Sequence, residues 1–416
     1  MNERIEADYL VETAHDPRVA VEVMAGEQSS GTFVPVPGET PELKERSAAR
    51  IEALEIVGQL ASPSLRGASQ PAGRPILKAR ATLSWPLANM GPSLPNLMAA
   101  VAGNLFELKQ FSGLRLLDIR LPAAFAAAYP GPKFGVAGTR RLSGVEGRPL
   151  IGTIVKPSVG FSPDETADLV RLLAEAGIDF VKDDELQADG PHCPFDERVR
   201  AVMRVINAHA DRTGKKVMFA FNLSGEVDEM RRRHDLVLAE GGTCVMASIN
   251  AVGLSGMIAL GRHSELPIHA HRNGWGALTR DPALGFSYVA FQKFWRLAGA
   301  DHMHVNGLAN KFAESDESVI ASARTCLTPM FADKPCIAMP VFSSGQTVRQ
   351  PPATFAALGS TDLIYAAGGG IMAHPDGPAA GVESLRQSWD AAMAGIPLET
   401  YARDHAALAA ALGARP

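Results

Sequence analysis

The chain has 416 residues, 46% of them hydrophobic, and 40 Lys and Arg against 45 Asp and Glu give a net charge of −5. That length suits two or three domains, or one barrel with an appendage, with enough apolar material for a sizeable core. The slight acidity excludes a chain-wide polycationic surface of the kind that holds nucleic acid, and no eighteen-residue apolar run suggests a membrane span. Four cysteines without a C-x-x-C pair are too few for a disulfide framework, and the charged opening Asn2-Glu3-Arg4 lacks a signal-peptide core. A reduced, cytoplasmic setting is expected.

The first 140 residues mix short alternating segments with helix-like ones. Residues 9–13 and 80–85 read as strands, 17–24 and 99–110 as helices, and 62–73 as a Pro/Gly/Ser-rich loop. An α+β domain over 1–140 follows, of ferredoxin-like type. Across 141–416 the pattern becomes strand-then-helix. Apolar runs at 150–155, 178–181, 216–221, 243–247, 267–270, 302–305, 336–339 and 362–365 predict eight buried strands. A capping sequence, Ser162-Pro163-Asp164-Glu165, opens the first helix between them. Eight strands alternating with helices over this length is the rhythm of a (β/α)8 TIM barrel with C-terminal helices. An open doubly wound sheet has the same local pattern, because periodicity does not report closure.

In a barrel the chemistry belongs where strands end. Polar residues collect there: Lys156-Pro157-Ser158, Lys182-Asp183-Asp184-Glu185, Asn222, His271-Arg272, His304 with Lys311 in its loop, Ser343-Ser344-Gly345 and Gly368-Gly369-Gly370. Extended backbone puts Lys182 and Asp184 on one side, and Glu185 joins them as the chain turns. Neighbouring carboxylates repel unless a cation neutralises them, and such oxygen ligands suit Mg²⁺; the alternative is a solvated acidic turn. The glycine triplet lets backbone N–H groups approach a phosphate, facing Ser343 and Gly345, or else it is a flexible turn. Lys311 lies on a loop able to act as a lid, or is an exposed lysine. Arg272 has the fork geometry for a second anion beside His271, or both are satisfied core groups.

Together these residues resemble the large subunit of RuBisCO, and more closely the RuBisCO-like proteins that share its fold without fixing CO₂. Gly152-Thr153-Ile154-Val155-Lys156-Pro157 is similar to the family's first-strand motif with its catalytic lysine. Asp179-Phe180-Val181-Lys182-Asp183-Asp184-Glu185 resembles the metal motif, which implies a carbamylated Lys182 that binds Mg²⁺ with Asp184 and Glu185. Ile268-His269-Ala270-His271-Arg272 and Asp301-His302-Met303-His304 resemble phosphate-holding motifs, and Lys311 falls where the family has its mobile-loop lysine. Ser343, Gly345, Gly368 and Gly369 take the remaining phosphate positions. Residues 26–33 and Gly103-Asn104 resemble segments that a neighbouring subunit contributes, implying substrate contacts from Glu27, Thr32 and Asn104 and a homodimer or higher even oligomer.

Two departures matter. Ser158 stands where true carboxylases have a second lysine, and Trp275 where they have a histidine. The resemblance therefore implies enolate chemistry without carboxylation. Residues 26–33, 271–275 and 341–347 look most like the group that acts on 3-oxo-isoapionate 4-phosphate in apiose breakdown. The implied activity is a Mg²⁺-dependent transcarboxylase/hydrolase, with net decarboxylation of a phosphorylated sugar acid and Lys156 as acid/base. Lys182, His271 and Lys311 complete the implied catalytic set. The alternatives are an isomerase or enolase of a methylthio-pentulose phosphate, and a non-catalytic sugar-phosphate binder.

Overall fold

The computed structural model describes residues 3–31 and 36–413. Its strands run β1 (Arg4–Thr13), β2 (Arg50–Leu60), β3 (Ile76–Pro86), β4 (Gly113–Arg120), β5 (Leu150–Ile154), β6 (Phe180–Lys182) and β7 (Met218–Asn222). They continue as β8 (Cys244–Ser248), β9 (Ile268–His271), β10 (Leu284–Phe286), β11 (His302–His304), β12 (Met339–Phe342) and β13 (Ile364–Ala366). Two compact units form, one from Met1–Tyr129 with Gly274–Phe294 and the other from Pro130–Asn273 with Trp295–Pro416.

The first unit is a five-stranded sheet ordered β10-β4-β1-β3-β2, antiparallel except for the parallel β10–β4 pair. Strand alternation buries Ile5, Ala7, Tyr9 and Val11 of β1 on one face. Tyr9 Oη donates to the Val101 carbonyl at 2.6 Å, tying that face to the helix Leu94–Val101. The edge strand β2 is largely exposed, and its pairing with β3 slips at Ile51/Ala53 and again at Ile56/Gly58. Those bulges break the period of two, which is why no strand is legible at 50–60. The helix expected over 99–110 starts earlier, capped by Ser93, and stops near Gly103. A side chain at Gly103 would meet the Ala99 carbonyl at 2.3 Å.

The second unit is a closed parallel barrel ordered β11-β12-β13-β5-β6-β7-β8-β9. Closure removes the doubly wound alternative. Its interior is packed with Leu150, Phe180, Met218, Cys244, Met246, Met339, Val341 and Ile364, as the layered filling of such barrels requires. The capping box forms as read: Ser162 Oγ accepts from the Glu165 amide at 3.3 Å, and the Glu165 carboxylate accepts from the Ser162 amide at 2.8 Å. The seventh barrel strand is displaced from the expected 336–339 to Met339–Phe342. Cys336 adopts a positive φ of 50°, which interrupts extended backbone, and the strand instead runs through Pro340. No described helix is long and apolar enough to cross a membrane, and no disulfide joins the four buried cysteines.

Candidate active site at the barrel rim

Lys156 follows β5 and Lys182 ends β6, and parallel pairing aligns Ile154 with Lys182. The Lys156 ammonium donates to Asp184 Oδ2 at 2.6 Å and to Ser158 Oγ at 2.8 Å. Lys182 is buried, and its ammonium reaches the Asp183 carbonyl at 2.9 Å and Glu185 Oε2 at 3.4 Å. Burial lowers the Lys182 ammonium, with the Glu185 and Asp184 carboxylates opposing it. Lys182, Asp184 and Glu185 thus share one rim.

Asp183 takes the other direction. Its carboxylate accepts from Arg198 at 3.1 Å and from the Asn222 amide at 2.9 Å, with both charged side chains fully buried. Burial raises the Asp183 carboxyl, and the guanidinium opposes that. This outward anchor fixes the turn and leaves its neighbours facing the rim. Arg198 also donates to the Ala188 carbonyl at 2.7 Å and to that of Cys193 at 3.0 Å.

His271 ends β9 with Nε2 3.5 Å from Glu185 Oε2 and Nδ1 3.2 Å from Asn273 Oδ1. Burial, reinforced by the nearby Lys182 charge, pushes its imidazole down to about 4. Burial alone would raise the Glu185 carboxyl, but the His271 and Lys182 charges override it and hold it low. Near pH 7 His271 is neutral, and the cation next to Glu185 is the Lys182 ammonium at 3.4 Å.

Next to β9, at the ends of β11 and β12, His304 Nε2 and Ser343 Oγ are hydrogen-bonded, and the His304 ring centre lies 4.9 Å from that of His271. The Lys311 amide donates to the Ser344 carbonyl at 3.2 Å, while its ammonium lies 5.3 Å from the Phe312 ring centre on the exposed loop. Gly345 adopts φ 91°, a backbone state that favours glycine. A side chain at Gly368 would stand 3.8 Å from Lys156 Cε, whereas Gly369 faces open space. Glycine therefore keeps the β13 end clear beside Lys156.

The donor set can be tested against Mg²⁺. Asp184 and Glu185 offer hard carboxylate oxygens whose negative charge is met here by Lys156 and Lys182, so a cation fits between them. The third position is the Lys182 amine, which provides an oxygen ligand only once carbamylated. Among the described residues the dense His/Asp trio is elsewhere, at His234, Asp235 and His263 on the outer helices. His234 Nδ1 faces Asp235 and its Nε2 accepts from the Glu265 amide, so both of its nitrogens are already engaged.

Two family descriptions match: the ribulose bisphosphate carboxylase large chain catalytic domain over residues 135–414, and its N-terminal domain over residues 74–125. The chain belongs to the RuBisCO large-chain family. A 3-oxo-isoapionate-4-phosphate transcarboxylase/hydrolase from Xanthobacter autotrophicus is 60% identical, covering 99% of both chains. A 3-oxo-isoapionate-4-phosphate decarboxylase from Rhizobium etli is 47% identical over 98% of each. The crystal structure of a RuBisCO-like protein from Burkholderia fungorum shares 52% identity with a TM-score of 0.92, covering 99% of both chains. The Xanthobacter and Rhizobium relatives are named as enzymes, and this RuBisCO-like chain is an enzyme too.

Of the residues singled out in sequence, Lys156, Lys182, Asp184, Glu185 and His271 meet directly, while His304 pairs with Ser343 from the neighbouring strand. Glu27 and Asn104 belong to the first unit, where Asn104 Nδ2 donates to Glu27 Oε1 at 3.2 Å. Thr32 lies outside the described residues. Trp275, one of the RuBisCO departures, packs within the first unit at 4.5 Å from Phe291 and 5.2 Å from Tyr288, measured between ring centres. Ser158, the other departure, holds the Lys156 ammonium, a role not visible from the loss of a lysine alone. Glu314 was also not legible: 42 positions separate it from its partner Arg272, and no spacing rule links them.

Proposed function

We propose that this RuBisCO-like enzyme is a Mg²⁺-dependent transcarboxylase/hydrolase of 3-oxo-isoapionate 4-phosphate, releasing its carboxyl group. The observation that carries the reading is the double pairing at the rim, Lys156 on Asp184 and Lys182 on Glu185. The names of the relatives supply the substrate. Carbamylated Lys182, Asp184 and Glu185 would hold Mg²⁺, which when bound supplies Lewis-acid stabilisation of an enolate oxygen. Gly345, Gly368 and Gly369 bind and orient the phosphate, with Lys311 closing over it, while His304 and Ser343 contact the rest of the substrate.

In a β-keto acid the bond to the carboxyl carbon breaks and its electron pair passes to the adjacent carbon. The carboxyl group leaves as CO₂, or is taken by a lysine amine as a carbamate that water then hydrolyses to bicarbonate. The remaining carbon needs a proton. Lys156, held by Ser158 and Asp184 at the rim, donates it at Nζ. His271, neutral near pH 7, orients the substrate hydroxyls beside Glu185. The reading also has a second copy of the chain supply Glu27, Thr32 and Asn104.

The test is carboxyl-¹³C-labelled 3-oxo-isoapionate 4-phosphate followed by NMR with and without Mg²⁺. Label should appear as bicarbonate only when the metal is present. An isomerase would conserve every carbon, so turnover with the label retained would overturn the decarboxylation reading.

A further inference from the structure

Glu314 lies on the loop between β11 and the helix Asp316–Leu327, in the same unit as Arg272. Its Oε2 forms an ion pair with the Arg272 guanidinium and accepts from Asn306 Nδ2 at 2.7 Å. Its Oε1 accepts from Ser318 Oγ at 2.8 Å. The paired side chains are only 4% and 11% exposed. Asn306 in turn accepts from Ser344 Oγ at 2.8 Å, and the Glu314 carbonyl accepts from Asn310 Nδ2 at 3.2 Å. One carboxylate therefore joins the end of β9, the start of the lysine loop and the turn after β12.

A buried arginine at the end of a barrel strand is well shaped to take a phosphate in fork geometry. Here an internal carboxylate, held by two further donors, already pairs with one guanidinium nitrogen, Nη2. A substrate dianion approaching Arg272 meets a negative charge fixed beside it, and the like-charge contact discriminates against that ligand. At Gly345 and Gly368, by contrast, the neighbouring side chains include the lysines Lys311 and Lys156.

We infer that Glu314 is a specificity residue that closes the Arg272 position to a second phosphate, so that bisphosphates gain no affinity over sugar acids phosphorylated once. This rests on the reading above, in which the single phosphate sits by Gly345, Gly368 and Gly369. The same contacts make Glu314 a positioning residue for the Lys311 loop.

Calorimetry on the full chain with Mg²⁺ tests it, using pentane-1,5-diol monophosphate and pentane-1,5-diol bisphosphate as probes. The native protein should bind the two with dissociation constants within about threefold, since the second phosphate gains nothing against a fixed like charge. Glu314→Gln keeps the size and an acceptor for Asn306, and should favour the bisphosphate by roughly tenfold or more once the like charge is gone. Adding Arg272→Met to Glu314→Gln should cancel that gain. A native protein that already prefers the bisphosphate tenfold overturns the inference without any variant having to fold. Unchanged monophosphate binding with no gain in a folded Glu314→Gln protein overturns the Glu314 assignment alone. Failure of the native protein to bind the monophosphate overturns both this inference and the phosphate seat beneath it.

Discussion

The two faces of the barrel treat charge differently. At the amino-terminal face, buried ions are closed into the framework. Asp179, just before β6, is fully buried and accepts from Arg148 and Lys215 at 2.6 Å and from the Ile151 amide at 2.9 Å. Asp301, just before β11, accepts from the backbone amides of Phe134, Gly135 and Ile268 at 2.6–2.9 Å. At the carboxy-terminal rim the charges answer mainly to one another, and Lys156 stays 40% exposed. Charges enclosed by backbone stabilise a fold, whereas carboxylates balanced by lysine side chains at an open rim can exchange partners with a substrate or a metal ion. The lower face is built to hold, and the upper face to react.

Variants on each face should separate these roles. Asp184→Asn or Glu185→Gln at the rim should reduce turnover to background through lost Mg²⁺ affinity, read by calorimetry, while the melting temperature stays near native. Tight metal binding with full turnover in either would remove that ligand set. Lys156→Met should slow turnover by about 10²–10⁴, the usual contribution of a positioned proton donor. Asp179→Ala at the opposite face strands two cations and should cost about 3 kcal/mol or more in denaturant unfolding. The folded fraction should keep its turnover number within about threefold, since no group at the rim changes. A large loss of rate without a loss of stability would erase the contrast between faces.

Between the faces lies a layer of imidazoles, and acid should expose it. Burial lowers His269, His302 and His304 from the usual 6.5, His302 to about 3. A histidine with a depressed folded pKa favours the unfolded chain once that form protonates. Stability is therefore full above 6.5 and falls as pH drops toward the folded values, by about 1.4 kcal/mol per pH unit for each group. Asp301, raised by burial from 3.8 to about 6, acts in reverse: its contribution is present at low pH and lost as pH rises toward 6. Asp301 and the raised Asp183 oppose the three imidazoles and His271, which outnumber them, so urea midpoints should fall from pH 7 to pH 5. A flat profile would show that the imidazoles are not sealed in the core. The smallest effect should come from the exposed Asp168–Arg171 pair, where Asp168→Ala changes stability by under about 0.5 kcal/mol.

The barrel was legible because each of its strands is a short apolar run followed by a helical pattern, and burial on both faces writes that signal directly. The sheet of the first unit was less so. The bulges in β2, and another opposite Asp8 and Tyr9 in the β1–β4 pair, shift the alternation that marks a strand. At the rim, alternation correctly grouped Lys182 with Asp184, because neighbouring residues on extended chain face opposite ways. It did not reveal that Asp183 is held outward by Arg198, fifteen positions away, since that contact depends on how the helix Phe195–Thr213 packs. Glu314 was hidden for the same reason. Local pattern reports which side a residue faces, and only the closed barrel reports what it meets there.

The most direct test of the rim as the reacting face follows the carboxyl label in native protein and in Lys156→Met side by side. With substrate in excess the native enzyme should release the ¹³C label as bicarbonate over many turnovers, while the variant, folded and still binding Mg²⁺, releases no more than about one equivalent per site over the same interval. Near-native release of label by Lys156→Met would contradict the central role of that lysine.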